Sequence, residues 1–148
     1  MELKNPQFRS VEIKEKDVVL FPNGIPGFEG ITRFVVVEDD DFAPLCWLVP
    51  VDDPEVAFAV VDPRTFFPDY HVVLPQSEQD ALRLQNEEDA RVLVIVVVST
   101  DPTEITANLM GPLVINSKAG LGKQVVLADS GYPVRTPLLS EALLKCAK

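Results

Sequence analysis

Apolar residues in this chain fall into short runs separated by proline, glycine and acidic residues, and within the runs the spacing is mostly that of strands. Val11-Glu12-Ile13 alternates apolar with polar, as a half-buried strand does. Residues 18–21, 34–37, 46–49 and 57–61 are β-branched or aromatic runs, bounded by residues that suit turns better than ladders. Residues 92–98 have no polar face, which predicts a central strand covered on both sides. Residues 113–116 and 123–127 read as a hairpin whose connection holds Gly120 and Gly122 as loop residues. Helical spacing is confined to two segments. One spans 78–86, with Ser77 as N-cap, Asp80 three residues on and Pro75 ahead of it. The other runs from about 138 to 145, where Leu138, Leu139, Ala142, Leu143 and Cys146 share one face, and it docks or frays at the terminus. The pattern predicts a mainly β, mostly antiparallel fold, sandwich or barrel, with one or two short helices.

A length of 148 residues, without internal repeat or linker, predicts a single domain over 1–148 with its core at about 10–138. The net charge of −10 sets this chain apart from nucleic-acid binders, which need lysine and arginine clusters. Acidic residues gather at 38–41, 52–55 and 87–89, either as solvated loops or as a face that steers a basic protein partner. The longest apolar run, 92–98, is far shorter than a membrane span, and the first residues carry no signal-peptide pattern. These features predict a cytoplasmic protein with no membrane partner. Cys46 and Cys146, a hundred residues apart, read as reduced thiols rather than a metal site or a disulfide framework.

Candidate chemistry is sparse. "NSKAGLGK" at 116–123 imitates a phosphate loop, but the first glycine position is Ser117 and Gln124 stands where the magnesium-binding hydroxyl belongs. Its flanks are strands, so it reads as a hairpin turn with Lys118 and Lys123 exposed. His71 is the one histidine, which rules out a histidine metal cluster. It could act as a base beside Asp69 with Ser77 or Ser99, but a packed, hydrogen-bonded side chain is the more ordinary role. The carboxylates lie in runs and lack the spacing of a calcium loop. No catalytic residue, cofactor or metal is expected. The aromatic stretch at 66–70, with Trp47 elsewhere, is either core packing or an apolar groove for a partner segment, while 107–112, with Met110 beside Gly111-Pro112, either forms a binding rim or simply ends a strand.

Several motifs in order carry a resemblance. They are "FPNGIPGFE" at 21–29, Val61-Asp62-Pro63 leading into Phe66-Phe67-Pro68-Asp69-Tyr70, "TANLMGPLVIN" at 106–116, Gln124-Val125-Val126-Leu127, and Tyr132-Pro133-Val134-Arg135-Thr136-Pro137-Leu138. Together they resemble the flagellar assembly factor FliW family of bacteria. The resemblance implies a small barrel-like β domain without enzymatic activity and two protein partners, flagellin and the RNA-binding translational repressor CsrA. In such a switch the free protein lifts CsrA's repression of flagellin synthesis, and accumulating flagellin withdraws it. On this reading Phe66, Phe67, Tyr70, Asn108, Met110, Gly111 and Pro112 contribute to a flagellin groove, while Glu38, Asp39, Asp40 and Asp41 face CsrA. The alternative is a general β-rich chaperone or scaffold unrelated to motility.

Overall fold

The structure, a computed structural model, describes residues 2–5, 8–38, 40, 42–127 and 130–138. The strands are β1 (Glu2–Asn5), β2 (Phe8–Glu12), β3 (Val19–Leu20), β4 (Arg33–Glu38), β5 (Cys46–Pro50), β6 (Phe58–Val61), β7 (Ala90–Val97), β8 (Thr106–Ala107), β9 (Leu113–Asn116), β10 (Leu121–Gln124) and β11 (Thr136–Pro137). One helix, α1 (Gln76–Ala81), lies between β6 and β7. β1 and β2 form a separate antiparallel hairpin. The order β7-β6-β5-β4-β3-β10-β9 returns to β7, which closes a barrel of seven strands. Only β3 and β10 run parallel; the other neighbours are antiparallel. β8 and β11 extend the sheet from the far half of β7.

Alternation along the strands sorts the core into two layers. Val19, Phe34, Leu48, Val60, Leu93, Leu113 and Ile115, one or two from each of six barrel strands, fill the lumen. Phe21 joins them, and its ring packs edge-on to Phe34 at 5.1 Å. Phe34 in turn lies 6.4 Å from Phe58, whose ring meets Phe28 edge-on at 5.1 Å. The seventh strand contributes Gly122: a Cβ there would stand 2.6 Å from two atoms of the Phe21 ring. The opposite faces of the strands, with Val35, Val49, Val61 and Val94 among them, are buried under irregular segments that bring in Tyr70, Val72, Leu74, Leu84 and Leu109.

Several expectations from the sequence need correction. The helix occupies Gln76–Ala81, not 78–86, and Pro75 rather than Ser77 is its N-cap, with no side-chain cap bond. It ends early because Arg83 adopts a left-handed φ of 56°. There the Arg83 N–H donates to the Asp80 carbonyl and the Leu84 N–H to the Gln79 carbonyl, a Schellman closure normally signalled by glycine. The buried Asn116 side chain completes that end by donating to the carbonyls of Leu82 (2.9 Å) and Arg83 (3.1 Å). β7 is central, pairing with β6, β8 and β9, yet Val97 is 62% and Val98 53% exposed. Among the strands whose burial is described, β9 is the one buried along its whole length. Gly122 belongs to β10 rather than to the hairpin loop, leaving Gly120 (φ 67°) as the turn glycine. Lys118 is exposed, but Lys123 is partly buried and pairs with Glu78 at 2.8 Å. The predicted helix at 138–145 and Cys146 lie outside the described residues.

Two stability predictions follow from these positions. Gly122→Ala should cost about 1–3 kcal/mol by overpacking, because the enclosed Phe21 ring has nowhere to move. Arg83→Gly should gain up to about 1 kcal/mol by relieving the left-handed residue. Urea unfolding of both variants checks the two signs together.

Candidate functional site

The aromatic stretch and the 106–116 segment, far apart in sequence, meet on the outside of the barrel. The Tyr70 hydroxyl donates to the Leu109 carbonyl at 2.7 Å. The Tyr70 and Tyr132 rings lie 4.6 Å apart, and the Leu109 N–H donates to the Pro133 carbonyl at 3.2 Å. The Tyr132 hydroxyl accepts the His71 N–H. Segment 108–112 is itself pinned. Asn108 Oδ1 accepts from the Gly111 N–H, and Gln124 Nε2 donates to the Gly111 carbonyl. The Val125 and Leu127 N–H groups donate to the carbonyls of Pro112 and Met110. Four of the motifs singled out in the sequence are thereby tied into one knot.

Burial divides the seven residues expected there. Tyr70, Gly111 and Pro112 are buried and shape the surface from beneath, while Phe66, Phe67, Asn108 and Met110 are half-buried and reach it. Beside them stand apolar side chains that sequence reasoning did not single out: Val126 is 64% and Val134 55% exposed. Val126 had a readable signal, since it follows the buried Val125 in a strand pattern and must face the other way.

The acidic candidates sit elsewhere. Glu38 ends β4 and is exposed, with Arg91 at the start of β7 reaching its carboxylate at 3.5 Å. Asp40 is exposed in the following turn, and Asp39 and Asp41 lie outside the described residues. Glu38 and Arg91 rim a cleft of about 310 Å³ at this mouth of the barrel, together with Glu12, Lys16 and Asp17. Cys46, the register partner of Glu38, is half-buried; burial pushes its thiol up, partly opposed by Arg91 and reinforced by Glu38. That direction favours an unreactive thiol.

The other chemistry considered in the sequence finds little support in the geometry. The His71 side chain is exposed rather than packed. Among the described residues no hydrogen bond joins its imidazole to Asp69, Ser77 or Ser99. Among them, too, no three histidine, cysteine or acidic side chains group as metal ligands, and no helix is long and apolar enough to cross a membrane.

A closed barrel whose lumen is filled with phenylalanine and aliphatic side chains offers its outer surface, not its lumen, for contact. That defines a class of small, mainly β proteins whose distinguishing residues lie in the wrapping segments. Comparison with known proteins gives the family: the FliW protein family matches residues 2–138. A flagellar assembly factor FliW of Caldanaerobacter subterraneus subsp. tengcongensis is 36% identical over 142 residues, covering 95% of each chain. One from Moorella thermoacetica is 38% identical over 143 residues, covering 96% of this chain and 90% of its own. A crystal structure of the flagellar assembly factor FliW matches with a TM-score of 0.88 at 33% identity, over 95% of this chain and 99% of its own. The chain belongs to the FliW family.

Burial, reinforced by Tyr132 alongside, pushes the Tyr70 hydroxyl above its ordinary range. A raised phenol stabilises the fold fully below the unfolded value of about 10 and loses that contribution as pH climbs beyond it. Tyr70→Phe should therefore cost about 1–2 kcal/mol at neutral pH, through the stranded Leu109 carbonyl. The gap between wild type and variant should narrow in unfolding curves taken above about pH 10.

Proposed function

We propose that this chain is a flagellar assembly factor that binds flagellin and antagonises CsrA, coupling flagellin synthesis to filament assembly. The observation that carries the reading is the match to the FliW family across residues 2–138 together with the shared fold. The physical features fit both partners. Flagellin would meet the half-buried Phe66, Phe67, Asn108 and Met110 with the neighbouring apolar Val126 and Val134, a surface suited to an apolar segment. A repressor that binds RNA must present basic surface, which an acidic partner of net charge −10 meets by complementarity. Glu38 and Asp40, with Asp39 and Asp41, are the acidic groups assigned to that contact. The protein would act in the cytoplasm by reversible binding, without catalysis.

Size-exclusion chromatography with purified flagellin and CsrA, each alone and then together, tests the reading. A complex should form with each partner, and added flagellin should deplete the CsrA complex. A chain that binds neither is a scaffold of another kind. Phe67→Ala should weaken flagellin binding by about 1–2 kcal/mol in calorimetry while leaving the circular dichroism spectrum unchanged. CsrA affinity should fall steeply as salt rises and the Debye length shrinks from about 10 Å towards 3 Å; salt-independent affinity would remove the acidic assignment.

A further inference from the structure

The barrel closes by one weak join. β3 and β10 share a single registered pair, Leu20 with Leu121, whereas every other neighbouring pair in the ring shares at least two. Beyond that pair the ladder to β10 stops: the Phe21 N–H faces β4 and bonds to the Thr32 carbonyl at 2.7 Å, the next rung after Leu20 with Arg33, and Pro22 has no N–H to offer on the β10 side. The β10 direction nevertheless continues. Lys123 is registered with Val114, and the Val125 and Leu127 N–H groups bond to the carbonyls of Pro112 and Met110 at 2.9 and 2.7 Å. Backbone groups of the odd-numbered residues thus face β9. Those of Gln124 and Val126 face the opposite way, and among the described residues no strand pairs with them there.

A pocket of about 170 Å³ opens beside this edge. The turn at 22–24 forms one wall, and Ala81, Leu82, Leu121 and Gly122 form the other with Lys123, whose charge is paired with Glu78 at 2.8 Å, so most of the lining is apolar. Glu29 is exposed and lies against Gly24 in the same turn. Its carboxylate accepts the Gly27 N–H at 3.2 Å and is held ionised below the usual range by backbone hydrogen bonds. An unpaired strand edge is a template for another extended chain. We propose that the seam between β3 and β10 is a strand-addition site, taking an extended cationic segment of a partner protein that pairs with Gln124 and Val126 and seats one aliphatic side chain between Pro22, Leu82 and Leu121.

Charge selects that occupant. Two copies of a chain carrying −10 repel one another, whereas a lysine- or arginine-bearing segment is drawn to the edge. The chain's own residues beyond 138 start from the opposite side, where the Leu138 N–H is bonded to the Ile105 carbonyl ahead of β8. β7 and β9 stand between β8 and β10. The seam shares Val126 with the surface assigned above to flagellin, but the proposal concerns how a segment is held and Ala81→Phe tests it away from that surface.

The test is amide NMR on the full chain. The probe is a synthetic peptide of about ten residues alternating lysine or threonine with leucine or valine; its control carries N-methyl groups on alternate amides. The peptide should give saturable shifts at Gln124 and Val126 and slow the exchange of both amides, and the control should not. Ala81→Phe, which fills the pocket, and Val126→Pro, which removes an outward N–H while sparing the β9 ladder, should each weaken binding at least tenfold. Ala81→Phe alone suffices should the proline variant unfold. Absence of a saturable shift, or binding unchanged in Ala81→Phe, overturns the proposal. So does finding both amides already slow to exchange in the free protein. Protection lost on dilution would then assign the seam to a second copy, and protection lost on truncation after Leu138 would assign it to the chain's own end.

Discussion

Phe21 lies inside the barrel because Gly122 has no side chain, and much of the architecture follows from that fit. With the ring fully enclosed and Pro22 next in the chain, β3 does not run on beside β10, while the Phe21 N–H continues the β4 ladder at Thr32. The turn that follows needs Gly24 in a left-handed conformation, since a Cβ there would lie 2.6 Å from the Glu29 Cα. It brings Phe28 back to meet Phe58 at the far end of the lumen. One steric contact therefore fixes where β3 stops, how the lumen is filled and where the ring is weakest. Any side chain at position 122 would have to displace a ring that Phe34 holds edge-on from the other side.

The outer layer obeys a different constraint. Barrel strands with apolar outer faces must be covered, and here the cover is mostly irregular chain rather than helices or a second sheet. Irregular chain brings backbone groups that must find partners once buried. The Tyr70 hydroxyl, the Pro133 carbonyl and the Asn116 amide meet that need at Leu109, Leu82 and Arg83. Tyrosine and asparagine are polar residues placed in an apolar layer for this reason, and removing either leaves a carbonyl stranded at a cost of about 1–3 kcal/mol.

Strand positions were legible because apolar runs between prolines and glycines leave little else to form, and the registered pairs of β4 with β5 bear this out, whereas β10 covers Leu121–Gln124 rather than the expected 123–127. The end of α1 was not legible. A Schellman closure with Arg83 in the left-handed position carries no glycine signal, and the stabilising group, Asn116, comes from a hairpin more than thirty residues away. The exposure of Val97 was hidden for a related reason: an unbroken valine run says nothing about where a strand outlasts its cover. For the candidate site, the motifs pointed to the right segments. Their division into buried supports such as Tyr70 and surface groups such as Met110 depends on long-range hydrogen bonds that no local pattern encodes.

The two candidate contact regions lie towards opposite ends of one strand. Arg91, near the start of β7, reaches Glu38, whereas Val96, near its end, is registered with Ala107 beside the 108–112 rim. Five residues of extended chain separate them, about 17 Å at the usual strand rise. An α-helix of about twelve residues spans that distance, so a partner seated at one end reaches the other, and direct overlap is enough for one complex to deplete another. The lumen between the ends is packed with enclosed aromatic and aliphatic side chains, and such a core does not deform continuously. Where flagellin and CsrA exclude one another, partner bulk reaching round the barrel is therefore the simpler cause. A transmitted shift would need a bistable element, and the single-pair join between β3 and β10 is the place in the ring least committed to one arrangement.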